Sequence, residues 1–396
     1  MPIKWESVSR VFPDFGPKKN KDKPQMKLAL VAGRVSQVAA GAAAGGGDDD
    51  DLPVLGLLAP PRAKRYRLTE FAVRDLIGRG AFSEVSLARH IFEEQHYALK
   101  IYRKSELSTS VKILRLMSEI DILRVVRHPF ILPLKATFQD PRRLYLMFEF
   151  CAGGELFYHL RNLGTFKEEF IRFYLGELVL ALGYLHEYGI VHRSVRPESV
   201  LFSSSGHVRL VGFDYAKRVT ERTFTFCGAP DYVAPEMLTD KGYAQSVDWW
   251  SLGVLAFEML NGYPPFFDKS PFLIYQKVAK GKVEFPGKPA FLSPAQNLVA
   301  KLLKVDRRKR LGCGTRGVEE VKNDRFFGDK MDWRALYEQQ MVPPWTPTLS
   351  GDADCRHFRV LSRMIDVDTS GEVEGEALRM FRKIEEGEKK LPPPLE

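Results

Sequence analysis

The hydrophobic and polar positions follow a strand-like pattern from about residue 71 and a helical pattern soon afterwards. The runs FAVRDLIGRGAFSEVSLARH and QHYALKIYR are typical of β-strands on either side of a glycine-rich turn. Residues 110–126 carry apolar side chains three and four positions apart, which predicts a helix. The runs LPLKATF and RLYLMFEF predict two further strands.

From Gly154 onward the pattern is mostly helical, as in EEFIRFYLGELVLALGYLHEYG and VDWWSLGVLAFEMLNG. We therefore expect an α+β protein in which a small β-rich lobe precedes a larger helical lobe. The sequence contains no internal repeat.

The two ends of the chain differ from this middle region. Residues 1–70 contain a basic run (KKNKDKPQMK) and a low-complexity run (AAGAAAGGGDDDDLP), and we expect them to be a disordered tail. Residues 364–396 are expected to form a helical tail. Its segment DVDTSGEVEGEA mimics an EF-hand loop, but Ala377 stands where the twelfth, bidentate glutamate belongs. The helical tail is preferred over calcium binding.

The residue composition and the net charge indicate which kinds of partner and which cellular compartment to expect. The chain has 44% hydrophobic and 28% charged residues, values typical of a globular protein with a large core. The net charge of +9 does not require an anionic partner, and we expect neither a nucleic acid nor a membrane partner. The four cysteines form no CxxC pair, which argues against zinc or a disulfide framework. No run reaches the roughly 20 apolar residues of a membrane span, so we expect a cytoplasmic protein, with the nucleus as the alternative.

A series of short motifs follows the glycine-rich turn in a fixed order. Lys100 lies in YALKIY, Glu119 lies in the predicted helix, and then come FEFCAGGELF, HRSVRPES, VGFDYAKR, VAPEM and VDWWSLG. Over residues 71–327 this series resembles the protein kinase family, in particular its AGC group and the cyclic-AMP-dependent kinase catalytic subunits. The resemblance implies the bilobal protein kinase fold and ATP as the ligand of the cleft.

The resemblance also implies a nucleotide site that is largely retained. Glycines let backbone N–H groups approach phosphates, although Ser83 stands where the third glycine usually is. Lys100 and Glu119 match the ion pair that positions the phosphates. The implied cofactor-binding residues are Ile77, Gly78, Gly80, Val85, Ala98, Lys100, Phe148, Glu149, Cys151 and Leu201.

The parts that transfer phosphate depart from the family pattern. The family's HRDLKPEN is HRSVRPES here, so Ser194 replaces the catalytic aspartate, Arg196 the lysine and Ser199 a metal-binding asparagine. The family's DFG is GFD here, so Gly212 replaces the metal-binding aspartate. Ala229 replaces a threonine that supports the catalytic aspartate in the family. These changes imply that no magnesium is held, unless Asp214 substitutes as a ligand.

Further residues match family positions that regulate or recognise substrates. Thr225 matches an activation-loop phosphosite, with Arg115, Arg193 and Lys217 as its basic partners. Acidic residues match the positions that bind arginines of a basic peptide: Glu155, Glu198, Asp231 and Glu258. Two structural features are also expected. One is a hydrophobic spine above Asp248, formed by Leu123, Leu134, His192 and Phe213. The other is a salt bridge between Glu236 and Arg310. Residues 328–363 resemble the start of an AGC tail, but the terminal Phe-x-x-Phe motif is absent, so we do not expect the tail to return to the small lobe by that motif.

Three functions remain open at this point. The first is a pseudokinase that acts as a scaffold or allosteric partner and binds ATP weakly or without metal. The second is an active Ser/Thr kinase that uses atypical residues on substrates in a basic context. The third is a module that sequesters basic peptides, and in each case an upstream kinase acting on Thr225 is an implied partner.

Overall fold

The computed structural model describes most of the chain after the predicted N-terminal tail. The described residues are 65–107, 109–287 and 292–358, together with Ala377, Met380, Phe381 and Ile384. Residues 1–64 and the EF-hand-like segment 366–376 lie outside them, so neither prediction about those segments is tested.

The small lobe is a five-stranded antiparallel sheet with one long helix. Its strands lie in the order β1-β2-β3-β5-β4. Their bounds are β1 Phe71–Arg79, β2 Ser83–His90, β3 His96–Arg103, β4 Leu134–Gln139 and β5 Arg143–Glu149, and helix α1 spans Ser110–Val125. The strands and the helix predicted from periodicity are therefore present.

The large lobe is mainly helical and also contains one two-stranded and one three-stranded sheet of short strands. Its strands are β6 Gly154–Glu155, β7 Ile190–Val191, β8 Val200–Phe202, β9 Val208–Leu210 and β10 Lys217–Arg218. Its helices are α2 Leu156–Leu163, α3 Glu168–Glu187, α4 Ser246–Asn261, α5 Pro271–Lys280, α6 Pro294–Leu302, α7 Val318–Lys322 and α8 Trp333–Tyr337. The two lobes confirm the predicted α+β bilobal fold.

Local chemistry explains where these elements turn and end. The backbone N–H of Gly80 donates to the carbonyl of Ser83 at 2.7 Å and closes the β1–β2 turn. A Cβ at Gly80 would lie 2.7 Å from the Ser83 hydroxyl, so a larger residue there would require the Ser83 side chain to move. Helix α4 is apolar on all sides and is buried almost throughout, and it ends at Gly262, whose φ of 83° is left-handed.

The four cysteines are free thiols, as expected. Among the helices that the structure describes, none has both the length and the apolar character needed to cross a bilayer.

The C-terminal tail lies against both lobes. Trp345 packs on His159 of α2, with ring centroids 4.6 Å apart. Phe381 and Ile384 are buried, and Gln139 of β4 donates to the Phe381 carbonyl at 3.2 Å. The tail therefore reaches the small lobe through contacts other than a Phe-x-x-Phe motif, whose absence had excluded only a return by that motif. A phenylalanine and an isoleucine three positions apart make this contact.

Candidate active site

A buried network of charged and phenolic groups lies between the two lobes. The Lys100 ammonium on β3 donates to Glu119 of α1 at 2.7 Å and to Asp214 at 2.6 Å. The Tyr102 hydroxyl donates to the second oxygen of Glu119 at 2.8 Å and lies 3.3 Å from Asp214. The predicted pair of Lys100 and Glu119 is therefore present, and Asp214 is a second carboxylate partner of the same lysine.

These contacts determine the charge of the network. Burial disfavours the ammonium form of Lys100, but the Glu119, Tyr102 and Asp214 groups outweigh it and hold the lysine pKa well above its usual value. Burial also disfavours the Asp214 carboxylate, but the Lys100 ammonium outweighs it and holds the Asp214 pKa below its usual range. Lys100 and Asp214 thus form an ionised pair at neutral pH.

The catalytic-loop backbone is held by Asp248. This buried carboxylate accepts from the backbone N–H of His192 at 2.9 Å and from that of Arg193 at 2.7 Å. Arg193 takes a left-handed φ of 63° at this point. Ser194, which follows, is buried, and its backbone N–H faces the His192 ring at 3.3 Å. The loop therefore presents a serine hydroxyl where the family presents a carboxylate.

The side chain of Ser199 is engaged within its own loop. Its hydroxyl donates to the Arg196 carbonyl at 2.8 Å and accepts from the Arg196 backbone N–H at 2.9 Å. Gly212 follows β9 with φ 80° and ψ 47°, a left-handed conformation. Ser194, Ser199, Gly212 and Asp214 line one cavity of about 270 Å³ together with Glu119 and Arg196, so the structure brings the predicted catalytic and metal-ligand positions together.

The predicted adenine-binding residues come from both lobes. Ala98 on β3 pairs in register with Phe148 on β5, and Gly78 pairs with Val85 across the β1–β2 hairpin. Leu201 on β8 lies opposite Glu155 on β6. Ile77, Ala98, Phe148 and Cys151 are buried, while Val85, Glu149 and Leu201 are half-buried.

Phe358 of the C-terminal tail joins this apolar region. Its ring stacks on Phe150 with centroids 5.5 Å apart, and Phe150 lies between Glu149 and Cys151 in the segment that joins the lobes. Phe358 was not among the predicted residues, because no local sequence pattern relates it to Phe150, which is far away in the chain. Tyr102 was not among them either, although alternation on β3 places residues 100 and 102 on the same face.

A second cavity of about 240 Å³ carries most of the predicted peptide-binding acids. Glu198, Asp231 and Glu258 line it with Arg161, Arg196 and Tyr232. One Asp231 oxygen, Oδ1, is buried and has no hydrogen-bond partner among the described residues. Burial raises the Asp231 pKa, and the nearby Glu198 carboxylate adds to the effect.

Glu155 and Glu258 differ from each other in their surroundings. Burial, together with the Glu198 carboxylate, raises the pKa of Glu155 to about 7, against the opposing charge of Arg196. Glu258 is already engaged, since Arg161 donates to it at 3.1 Å and the Tyr232 hydroxyl donates to its other oxygen. A peptide arginine would have to compete with Arg161 and Tyr232 for Glu258, which was predicted to bind such an arginine.

The activation-loop segment is placed as expected, but its basic residues have other contacts. Thr225 is exposed, and its carbonyl accepts from the Tyr243 hydroxyl. The Arg193 guanidinium donates to that hydroxyl at 3.1 Å and to the Tyr215 carbonyl at 2.6 Å. Lys217 donates to Thr223 at 3.2 Å, and Arg115 lies over the Tyr215 ring at 5.2 Å. The phosphosite assignment therefore stays a prediction.

The predicted salt bridge between Glu236 and Arg310 is present, and the predicted spine residues of both lobes are buried. The Arg310 guanidinium donates to both oxygens of Glu236, at 2.6 Å and 2.9 Å. The His192 ring contacts Phe213 edge-on, with centroids 4.9 Å apart. The spine residues Leu123, Leu134, His192 and Phe213 are all buried.

Known proteins resemble this chain over most of its length. A family model described as "Protein kinase domain" matches residues 71–327. The chain is 42% identical over 303 residues to a cAMP-dependent protein kinase catalytic subunit of Dictyostelium discoideum, covering 76% of this chain and 46% of that protein. It is 39% identical over 324 residues to the human cAMP-dependent protein kinase catalytic subunit PRKX, covering 82% and 89%.

A further relative lies outside the cAMP-dependent kinases. The chain is 40% identical over 308 residues to the serine/threonine-protein kinase Sgk1 of Gallus gallus, covering 77% of this chain and 70% of that protein. The chain spans about half the length of the Dictyostelium relative and of a Drosophila melanogaster relative, whereas it spans most of the human one.

Proposed function

The chain belongs to the protein kinase family, as a member of its AGC Ser/Thr type, and we propose that it is a pseudokinase that acts by binding rather than by phosphoryl transfer. The observation that carries this proposal is the side-chain set of the interlobe cavity. Ser194, Ser199 and Gly212 occupy the positions of the family's base and metal ligands.

Loss of the base supports the proposal. In protein kinases an aspartate accepts the proton of the substrate hydroxyl. A serine hydroxyl is not basic near neutral pH, and a positioned base typically contributes about 10²–10⁴ in rate. Ser194 leaves this step without a base.

The donor set does not fit magnesium. Magnesium in kinases is held by a carboxylate and an amide oxygen, with phosphate oxygens. Here Ser199 bonds to Arg196, Gly212 has no side chain, and Asp214 is paired with Lys100 at 2.6 Å. We infer that any ATP binding is weak and largely independent of magnesium.

The decisive experiment compares phosphoryl transfer by the purified protein and by its variants. The unmodified protein, tested with radiolabelled ATP, magnesium and an arginine-rich peptide, is expected to show no transfer above that of Lys100→Ala. The triple variant Ser194→Asp/Ser199→Asn/Gly212→Asp restores the base and both ligands and is expected to transfer phosphate. Aspartate tolerates the left-handed φ at Gly212 better than most residues, so Gly212→Asp is the least strained way to restore a carboxylate there.

Activity of the unmodified protein that Lys100→Ala abolishes would overturn the pseudokinase proposal. It would favour instead an active kinase that uses atypical residues. Activity in the triple variant alone would identify the three substitutions as the cause of inactivity.

One observation favours a second function, the sequestering of basic peptides. Asp231 offers a buried, unpartnered oxygen in a cavity that also contains Glu198, and unpaired buried acceptors are costly. We propose that an arginine-rich peptide binds across this cavity and the neighbouring Glu155 with micromolar affinity, and that Glu155→Arg abolishes this binding. Fluorescence anisotropy of a labelled peptide tests it, and lack of binding at high peptide concentration would remove this function.

We also propose an upstream kinase as a partner. Thr225 is exposed, and Arg193 reaches its backbone through Tyr243. A phosphate on Thr225 would offer charge-assisted hydrogen bonds to such basic groups.

A further inference from the structure

Asp214 lies where the cleft would receive the phosphates of a nucleotide. The cavity that it lines is roofed by the glycine-rich turn, with Gly80, Ala81 and Phe82. Its side chain is 42% exposed, whereas that of Glu119, the other partner of Lys100, is 3% exposed. Asp214 is therefore the carboxylate of the pair that an entering ligand would meet.

The Lys100 ammonium is already satisfied by these carboxylates. It contacts Asp214 at 2.6 Å and Glu119 at 2.7 Å, and its side chain is only 12% exposed. An ammonium group has three N–H donors, and two of them are used here. A phosphate approaching Lys100 would have to displace Asp214 or lie beside its negative charge.

The other basic residues that line this cavity have contacts of their own. Arg79 bonds to Glu84 at 3.3 Å, Lys112 to the Glu106 carbonyl at 2.8 Å, Arg115 lies 5.2 Å from the Tyr215 ring centre, and Arg196 lies 3.7 Å from Glu198. Arg79 and Arg196 thus face carboxylates, whereas Lys112 and Arg115 have only uncharged partners among the described residues and keep their positive charge.

The adenine end is different. It keeps a buried apolar lining that includes Ile77, Ala98 and Phe148, and the stacked pair of Phe150 and Phe358 adjoins it. Apolar walls of this kind favour a flat aromatic base through burial. One half of the cleft therefore has the apolar residues that a purine needs, while at the other half Asp214 holds the lysine that a phosphate would contact.

We propose that this cleft selects an uncharged purine nucleoside over a nucleoside triphosphate, and that Asp214 sets this preference by occupying Lys100 in place of phosphate. The proposal rests on the proposed pseudokinase function, since a kinase must hold ATP. It adds to that function a ligand class and the residue that determines it.

Isothermal titration calorimetry with adenosine and with ATP tests the proposal, each in EDTA and in magnesium. The unmodified protein is expected to bind adenosine about tenfold more tightly than ATP. Asp214→Asn removes one negative charge beside the phosphates while keeping the shape. It is expected to raise ATP affinity about tenfold and to change adenosine affinity less than twofold.

Tyr102→Phe is the matched control, because it removes a hydroxyl from the same network without changing charge. It is expected to leave the ratio of the two affinities unchanged. Thermal melts verify that each variant is folded, and Asp214→Ala replaces the amide variant if that variant is not.

Several results would overturn the proposal: tighter binding of ATP than of adenosine, no binding of adenosine, or an ATP affinity that Asp214→Asn leaves unchanged. A fall in magnesium–ATP affinity in Asp214→Asn would overturn it too, since Asp214 would then be a metal ligand. Phosphoryl transfer is measured separately, so failure of the pseudokinase proposal is distinguished from failure of this one.

Discussion

Individual carboxylates in the cleft behave differently because their neighbours differ. Asp214 is kept ionised by the ammonium of Lys100, which outweighs the effect of burial on its pKa. Among the described residues, Glu155 has only the weaker opposing charge of Arg196, and burial beside Glu198 raises its pKa to about 7. The same chemical group is therefore a fixed anion at one position and a titrating group at another.

Binding of an arginine-rich peptide is expected to strengthen as the pH rises from 6 to 8. Glu155 is protonated below its raised pKa of about 7 and charged above it, so only the higher pH offers the arginine its full negative charge. The expected gain is about tenfold, measured as the peptide Kd by fluorescence anisotropy.

The matched controls for this pH dependence are two glutamine variants. Glu155→Gln is expected to flatten the profile, whereas Glu319→Gln, on the distant surface of α7, is expected to leave it unchanged. A profile that stays equally steep in Glu155→Gln would show that another group titrates.

At the scale of elements, periodicity predicted the structure well. The helix expected at 110–126 is Ser110–Val125, and the predicted strands around the glycine-rich turn are present. Motif order located Lys100 and Glu119, but not the contact of Lys100 with Asp214, which lies 114 positions away in the chain. Local patterns cannot register such a contact, because it depends on the packing of α1 and the loop after β9.

Helix α6 depends on its N-terminal cap. Ser293 accepts from the backbone N–H of Gln296 at 3.3 Å, and Gln296 accepts from that of Ser293 at 3.0 Å. Ser293→Ala also removes the hydrogen bond that this hydroxyl donates to Glu168, so it is expected to lower the free energy of unfolding by about 1–3 kcal/mol, measured by urea denaturation. Ser270, which precedes α5 without a side-chain cap bond, is the control, and an equal loss in Ser270→Ala would contradict the role of the cap.

At the scale of the whole molecule, the C-terminal tail contacts both lobes. Trp345 packs on α2, Phe358 stacks on the segment between the lobes, and Phe381 is buried against the small lobe. The sequence identified only the start of this tail by resemblance. Its return to the small lobe uses the isolated apolar side chains of Phe381 and Ile384, which belong to no recognisable sequence motif.

Loss of the Phe381 contact is expected to destabilise the molecule. This ring is fully buried, with the Lys104 ammonium 5.2 Å from its centre, so Phe381→Ala is expected to lower the free energy of unfolding by about 3–5 kcal/mol. Thermal and chemical denaturation measure it. Phe92→Ala is the control, because Phe92 is 78% exposed and should contribute little. Equal stability of the two variants would contradict the tail contact.

The left-handed backbone at Gly212 has a consequence for which side chains this position of the cleft can accept. Glycine can adopt this conformation at no cost, and aspartate tolerates it better than most residues. An added Cβ would lie 3.4 Å from that of Ser199, which leaves room for a side chain. The loop therefore keeps room for a carboxylate at the position that lacks one, and an aspartate there would carry the strain of a left-handed φ without requiring the neighbouring Ser199 to move.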